Sequence, residues 1–315
     1  MSVLENFTFA TNWSPILFTF LLGITLLYLY ITGPGRSRVT NSEPVPLNKK
    51  IWFVSGMITL YVALGSPFDI LGHFMFTFHM ISMALAFIVA PPMLLGGMPE
   101  WLLAPIGKIP GIHRLKFALN PFVTLVLFNF SFSIYHVPRV LDFVMTNNAL
   151  HYTYYVWLLI TASLMWFPVI CPVKAFDTLQ GFKKMGYIFA NSLGLMPACA
   201  LIIFAPSPMY GTYTSPELWA IVMSLCIPQG ASAASLLEMF PAGAQAIGWM
   251  EPLEDQQLGG VIMKLIQEVI YGSILIYVFR QWFRRENPKD READSMEPTQ
   301  AYYERLRLQS DPSKS

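Results

Sequence analysis

The sequence predicts an all-α polytopic membrane protein with seven transmembrane helices, its N-terminus outside and its C-terminus in the cytoplasm. Three observations predict it. Of 315 residues, 54% are hydrophobic and 12% charged, where a soluble domain carries about 25% charged residues. The apolar residues gather into seven stretches near the ~20 residues that a bilayer-crossing helix needs. The basic residues collect on one side of those stretches. Such a composition excludes a soluble enzyme, a disordered protein, a coiled coil and a disulfide scaffold.

The first span, 13–31, follows a stretch whose one early charge is Glu5. With no basic n-region and no small-residue cleavage site, it reads as a retained helix. The second, 51–66, is short and ends against Ser66-Pro67. The third, 74–95, meets Pro91-Pro92, which read as its inner terminator because proline cannot donate to a helix ladder. The fourth is 117–137. The fifth, 152–171, has Pro168 and Pro172 at its inner end. The sixth, 185–205, holds Pro197, a candidate kink, and the seventh is 257–279. The segment 218–240 begins apolar (LWAIVMSLC), but nine apolar residues cannot cross a bilayer. It reads as an extramembrane or interfacial helix within an outer loop, 206–256. Residues 1–285 thus make one membrane domain, and 286–315 a polar, disordered cytoplasmic tail.

Charge tests this layout. The inner loops carry Arg36, Arg38, Lys49 and Lys50, then Lys108, Arg114 and Lys116, then Lys174, Lys183 and Lys184, then Arg280, Arg284 and Arg285. The outer loops carry only Arg139. The loop 206–256 has Glu217, Glu238, Glu251, Glu254 and Asp255 and no Lys or Arg. An eighth span would put the basic tail outside and break the pattern.

Orientation also sorts the five histidines. His73 ends the short loop after span 2, and His79 lies about 9 Å deeper in span 3 at 1.5 Å per residue. His136 is at the outer end of span 4 and His151 at the outer start of span 5. His113 alone is on the inner side. Four of five therefore share one layer near the outer face, together with Asp69, Asp142 and several methionines. Met75, His79 and Met83 form one helical stripe. His73 and His79 would stand about 120° apart on a regular helix, so they converge only if the helix starts irregularly.

Imidazole and thioether donors with few carboxylates suit a soft ion such as Cu(I). Zinc would also accept histidine. A single histidine at a helix end is more often an interfacial hydrogen-bonder, and a methionine stripe is usually packing; the clustering is what points to a site. Cys171, Cys199 and Cys226 form no CxxC pair and no disulfide framework. Cys199 is a candidate soft ligand or a packing thiol. Cys226, with Met223, is a candidate first stop for the ion. Lys264 and Glu268, one turn apart, read as a mutually neutralised pair facing the bundle interior.

Several strings resemble the CtaG family of caa-type cytochrome c oxidase assembly factors, in particular its Bacillus-type members. They are SPFDILGH (66–73), HMISM (79–83), YHVP (135–138), ALHYTYY (149–155) and PLEDQQLGG (252–260), with a matching layout from about residue 10 to 285. The family pattern in span 3 is similar to HMxxH. Here its fifth position is Met83, a thioether that Cu(I) tolerates and Zn(II) does not. Before the span-4 His-Val-Pro the family often has Trp; here it is Tyr135.

The resemblance implies a non-enzymatic factor of the bacterial plasma membrane that helps insert copper into the nascent oxidase, with the binuclear-centre copper favoured. One Cu(I) would come from an extracytoplasmic donor and pass to an oxidase subunit by ligand exchange. The expected ligands are His79, His136 and His151, then His73, with Met83 as the softer option and Met75 and Cys199 as accessories. Asp69 and Asp142 would orient imidazoles, and Asp255 and Gln256 would close the site. The loop 206–256 would dock a partner or cap the site. Partner helices would pack on Gly194, Gly259 and Gly260, a homodimer being one arrangement; no nucleic-acid partner is expected. Two other classes stay open: a haem-binding or electron-transfer protein using the same histidines, and a metal-free assembly scaffold.

Overall fold

The computed structural model describes residues 3–105, 117, 119–173, 176–227, 232–286 and 303. Among these residues every regular element is a helix. Five helices are long and apolar enough to cross a membrane, and two bent helix pairs raise the number to seven if each pair is one span. In chain order they are α1 (Pro15–Thr32), α2 (Leu47–Gly65), α3 (Pro67–Phe74), α4 (Phe76–Ala84) and α5 (Ala90–Gly97). There follow α6 (Pro121–Tyr135), α7 (Pro138–Met145), α8 (Asn148–Ile170), α9 (Phe182–Gly194) and α10 (Met196–Ile203). The short helix α11 (Pro216–Cys226) and the long α12 (Pro252–Glu286) follow. The tail beyond Glu286, and the expected inner-loop residues Lys108, His113, Arg114, Lys116 and Lys174, fall outside the described residues, apart from Tyr303.

The helix starts repeat one local solution. Ser66, Asn120 and Ser215 each accept a hydrogen bond from an amide in the first turn, and each precedes a proline. The side chain satisfies an amide that has no intrahelical partner, and the proline removes another. Two bends fall at such proline starts: α2 meets α3 at 41° across the capping Ser66, and α6 meets α7 at 78° across His136 and Val137, where Pro138 follows without a side-chain cap. Spans 2 and 4 therefore do not end where the apolar runs end. Each turns a corner and continues as a short helix.

Pro91-Pro92 does not terminate span 3. A π-helical turn, Leu85–Val89, precedes it, and the Ala90 amide bonds to the Leu85 carbonyl five residues back. The widened turn places both prolines in the first turn of α5, where no amide is needed. Pro168 is likewise inside α8, which runs on to Ile170 before Cys171 turns left-handed at φ 36°. Pro197 does mark a break, between α9 and α10.

The axis of the bundle is α4–α5. Met80, Met83, Ala84, Ala86, Phe87, Ile88 and Ala90 along it are all fully buried. Large apolar side chains project from the outer flanks, among them Phe20, Leu26, Phe130, Val156, Phe189, Leu265 and Val269. A belt of that kind is stable against lipid and costly against water. Polar bonds tie the interior: Asn129 donates to Asn191 at 3.0 Å, and Tyr187 donates to the Met165 carbonyl at 2.8 Å.

Two expectations are corrected. The small residues Gly194, Gly259 and Gly260 do not wait for a partner helix: Asn129, Phe76 with Thr77, and Ile202 with Ile203 already lie against them. Lys264 and Glu268 do pair, at 2.6 Å, but on a flank of α12, since the Glu268 side chain is 51% exposed. Ser192 also donates to that carboxylate, at 2.8 Å. The described residues of 218–240 hold two short helices, α11 and Ala233–Met239; at about 1.5 Å per residue neither reaches across a bilayer, as expected.

Candidate functional site

The ends of α3, α6 and α10 and the beginnings of α4, α8 and α12 lie at one end of the bundle. His73, His79, His136 and His151 meet there and are buried: His73 and His79 are 4% exposed, His136 0% and His151 7%. Their meeting depends on a break. Met75 is extended, φ −130° and ψ 125°, so His73 closes one helix and His79 belongs to the next. The irregular start that convergence requires is present. Gly72 makes the fold-back tight: a Cβ there would stand 3.3 Å from the backbone nitrogen and Cα of His79.

The imidazoles fall into two pairs. The ring centroids of His79 and His136 are 6.1 Å apart, and those of His73 and His151 6.4 Å. Tyr135 stacks on His79 at 6.0 Å, and Tyr155 meets His151 edge-on at 4.4 Å. Each imidazole keeps one buried ring nitrogen without a hydrogen-bond partner: Nδ1 of His73 and Nε2 of His79, His136 and His151. For His136 the proton can be placed. Nδ1 stands 2.8 Å from the Phe132 carbonyl, which can only accept, so Nδ1 carries the hydrogen and Nε2 offers a lone pair. Cys226, at the end of α11, shares a hydrogen with His73 Nε2 at 3.3 Å.

The segment 210–219 holds the backbone under these rings. Trp219 donates to the His73 carbonyl at 2.9 Å, Tyr210 to that of His136 at 2.9 Å, and Tyr213 to that of Gly72 at 2.7 Å. Sequence reading missed these three aromatics. Their signal was an aromatic-rich stretch inside a loop otherwise read for its charge.

Met83 is fully buried one turn below His79, and Met75 is 5% exposed. Asp69 is half-buried one turn before His73 and within electrostatic reach of Cys226. Asp142 is committed elsewhere: it accepts from the amides of Gly211 and Thr212 at 3.0 Å and from the Thr212 hydroxyl at 2.8 Å. Cys199 lies beside Lys264, Glu268 and Tyr271 rather than with the histidines. Among the described residues, no three His, Cys, Asp or Glu side chains form a group that could hold a metal ion. The imidazoles stand as pairs.

The family model of the cytochrome c oxidase caa3 assembly factor matches residues 26–285. The chain belongs to this family. No curated protein and no solved structure matches it. Membership makes the chain a factor in assembly of caa3-type cytochrome c oxidase, and its apolar helices make it a multi-pass membrane protein.

The strings that carried the resemblance to the caa3 assembly factors now have physical roles. SPFDILGH is the capped helix α3 that delivers His73. DQQLGG is a joint. Asp255 accepts from the amides of Phe76 at 2.6 Å and Thr77 at 3.1 Å, at the start of α4. Gln256 accepts from the Met209 amide at 2.8 Å and donates to the Ile202 carbonyl at 3.2 Å. Gln257 donates to Ala205 at 3.2 Å, while Gly259 and Gly260 admit α4 and α10. Asp255 and Gln256 thus fix the helices around the histidines and make no bond to an imidazole.

Proposed function

We propose that this caa3 oxidase assembly factor crosses the bacterial plasma membrane seven times, N-terminus outside, and holds one Cu(I) at its outer face for delivery to the nascent oxidase. The observation that carries the reading is the set of four buried imidazole nitrogens without partners. Leaving a buried polar atom unpaired costs about 1–3 kcal/mol, so four together call for an occupant. Neutral imidazoles with buried thioethers and a thiol beside them suit a soft monovalent ion, which needs few ligands. Metal–nitrogen bonds of about 2.0–2.1 Å fit between rings whose centroids stand 6.1 Å apart. His79 and His136 would be the holding ligands, with Met83 below them.

Charge supports this orientation. Lys49, Lys50, Lys183, Lys184, Arg280 and Arg284 sit at helix ends opposite the histidines, whereas exposed Glu217, Glu238, Glu251 and Glu254 share the histidine end. The ion would arrive from an extracytoplasmic donor and leave by ligand exchange, without catalysis. A donor at membrane depth suits an acceptor at membrane depth, which favours the binuclear-centre copper. Oxidase that lacks only its other copper centre when this factor is absent would refute that acceptor.

Metal content by mass spectrometry, on protein purified under reducing conditions from copper-replete cells, tests the reading. We expect about one copper per chain in the wild type and little in His79→Ala or His136→Ala. A copper-free wild type on which the oxidase still depends would establish a scaffold instead. A Soret band in the pure protein would establish a haem site.

A further inference from the structure

We propose that Glu268, Lys264 and Ser192 form the docking site for a transmembrane helix of a nascent oxidase subunit, one that carries a hydrogen-bond donor or a cation at the same depth. The inference rests on family membership, which requires an oxidase partner, and is independent of the copper reading above. Glu268 lies 16 residues from each end of the span Pro252–Arg284, about 24 Å at 1.5 Å per residue. The hydrocarbon core reaches about 15 Å either side of the bilayer centre. The carboxylate therefore sits near that centre, and a shift of the helix by one turn leaves it among lipid tails.

Charged side chains at such depth almost always face the bundle interior or water. This carboxylate faces outward. The Glu268 side chain is 51% exposed and that of Lys264 21%, so the patch presents an acceptor more than a cation. Exposed Leu265 and Val269 flank it on α12, and exposed Leu193 lies next to Ser192 on α9. The carboxylate is also only half used. Lys264, at 2.6 Å, and the Ser192 hydroxyl, at 2.8 Å, both bond to Oε1, and among the described residues nothing bonds to Oε2. Lipid tails have no donor to offer it. A helix that brings Ser, Thr, Asn, Lys or Arg to this depth satisfies Oε2 and covers the apolar rim. A second copy of this chain is the poorer match, because a two-fold axis along the membrane normal would set the same carboxylate opposite itself.

Photo-crosslinking tests the surface. Benzoylphenylalanine would replace Leu265 or Val269 in the full-length protein, in membranes of cells that are assembling the oxidase. The control position is Leu26, exposed on α1, which packs on α2. Peptide mass spectrometry would identify each adduct. From both sites we expect adducts to one transmembrane helix of an oxidase subunit, at least fivefold above those from Leu26. In the double variant Lys264→Leu, Glu268→Leu they should fall at least fivefold. Its expression, melting in detergent and copper per chain should match the wild type, since removing both charges leaves no unpaired ion in lipid.

Adducts to lipid alone, to a second copy or to no partner would overturn the docking site, as would oxidase adducts that the folded double variant keeps. The comparison with Leu26 leaves Lys264 and Glu268 intact, so it decides the docking site even if the double variant misfolds. A copper-free wild type that still forms the oxidase adducts would sink the copper reading and leave this surface standing.

Discussion

At Asp255 a carboxylate that the sequence offers to a metal site is spent on two backbone amides, those of Phe76 and Thr77. A negative charge at a helix start meets the positive end of the helix dipole, and charge-assisted bonds are the strong ones. Asp255→Ala removes both bonds at a residue only 6% exposed. At about 1.5–3 kcal/mol for a bond to a charged group, the variant should lose roughly 3 kcal/mol and melt several degrees lower in detergent. Asp255→Asn should fall between. An alanine variant with unchanged melting would show that the bonds are incidental. This residue also marks where sequence reading stops. The grouping of the four histidines at one end was legible, because the basic residues mark alternate loops and so sort the span ends into two sets. The pairing of His79 with His136, and the commitment of Asp142 to Gly211 and Thr212 and of Asp255 to α4, were not. They join residues 57, 69 or more, and 178 or more positions apart, and no local pattern encodes such distances.

Between elements, small residues set how closely helices approach, and the joint between α12 and α4 is the clearest case. A Cβ at Gly259 would stand 2.9 Å from the Phe76 ring and 3.1 Å from the Thr77 Cα. The second neighbour is backbone, so the helix itself must move. Overpacking of this kind costs about 1–3 kcal/mol, and here it displaces the helix that carries His79. Gly259→Leu should therefore lower copper per chain without touching a ligand. Gly272 on the same helix has nothing within 4 Å of its Cβ position, so Gly272→Leu should leave copper content and melting as in the wild type. Equal loss in both variants would mean that the effect is not one of packing. The spans were legible as apolar runs, and α11 as a run too short to cross. The π turn before Pro91-Pro92 was not, because the sequence shows an obstacle to a helix but not the wider turn that accommodates it.

For the whole molecule, the distribution of charge predicts which end faces which compartment, and the prediction has a protease test with opposite answers for opposite orientations. The outer loop 206–256 has no Lys or Arg, so trypsin applied to intact spheroplasts has nothing to cut there. Outside that loop, the expected outer segments offer it only Arg139, within the helix α7. The same loop presents exposed Glu217, Glu238, Glu251 and Glu254, and its acidity is firm at Glu217, where the backbone amide and the Ser215 hydroxyl hold the carboxyl below the usual range. A glutamate-specific protease should therefore cleave the chain from outside into two membrane-bound pieces. In inside-out vesicles the preference should reverse, with trypsin cutting the basic loops and the end of α12 beyond Arg280. The reverse result would place the histidine layer on the cytoplasmic face. Delivery of copper from an extracytoplasmic donor would then fail with it, however well the four imidazoles bind the ion.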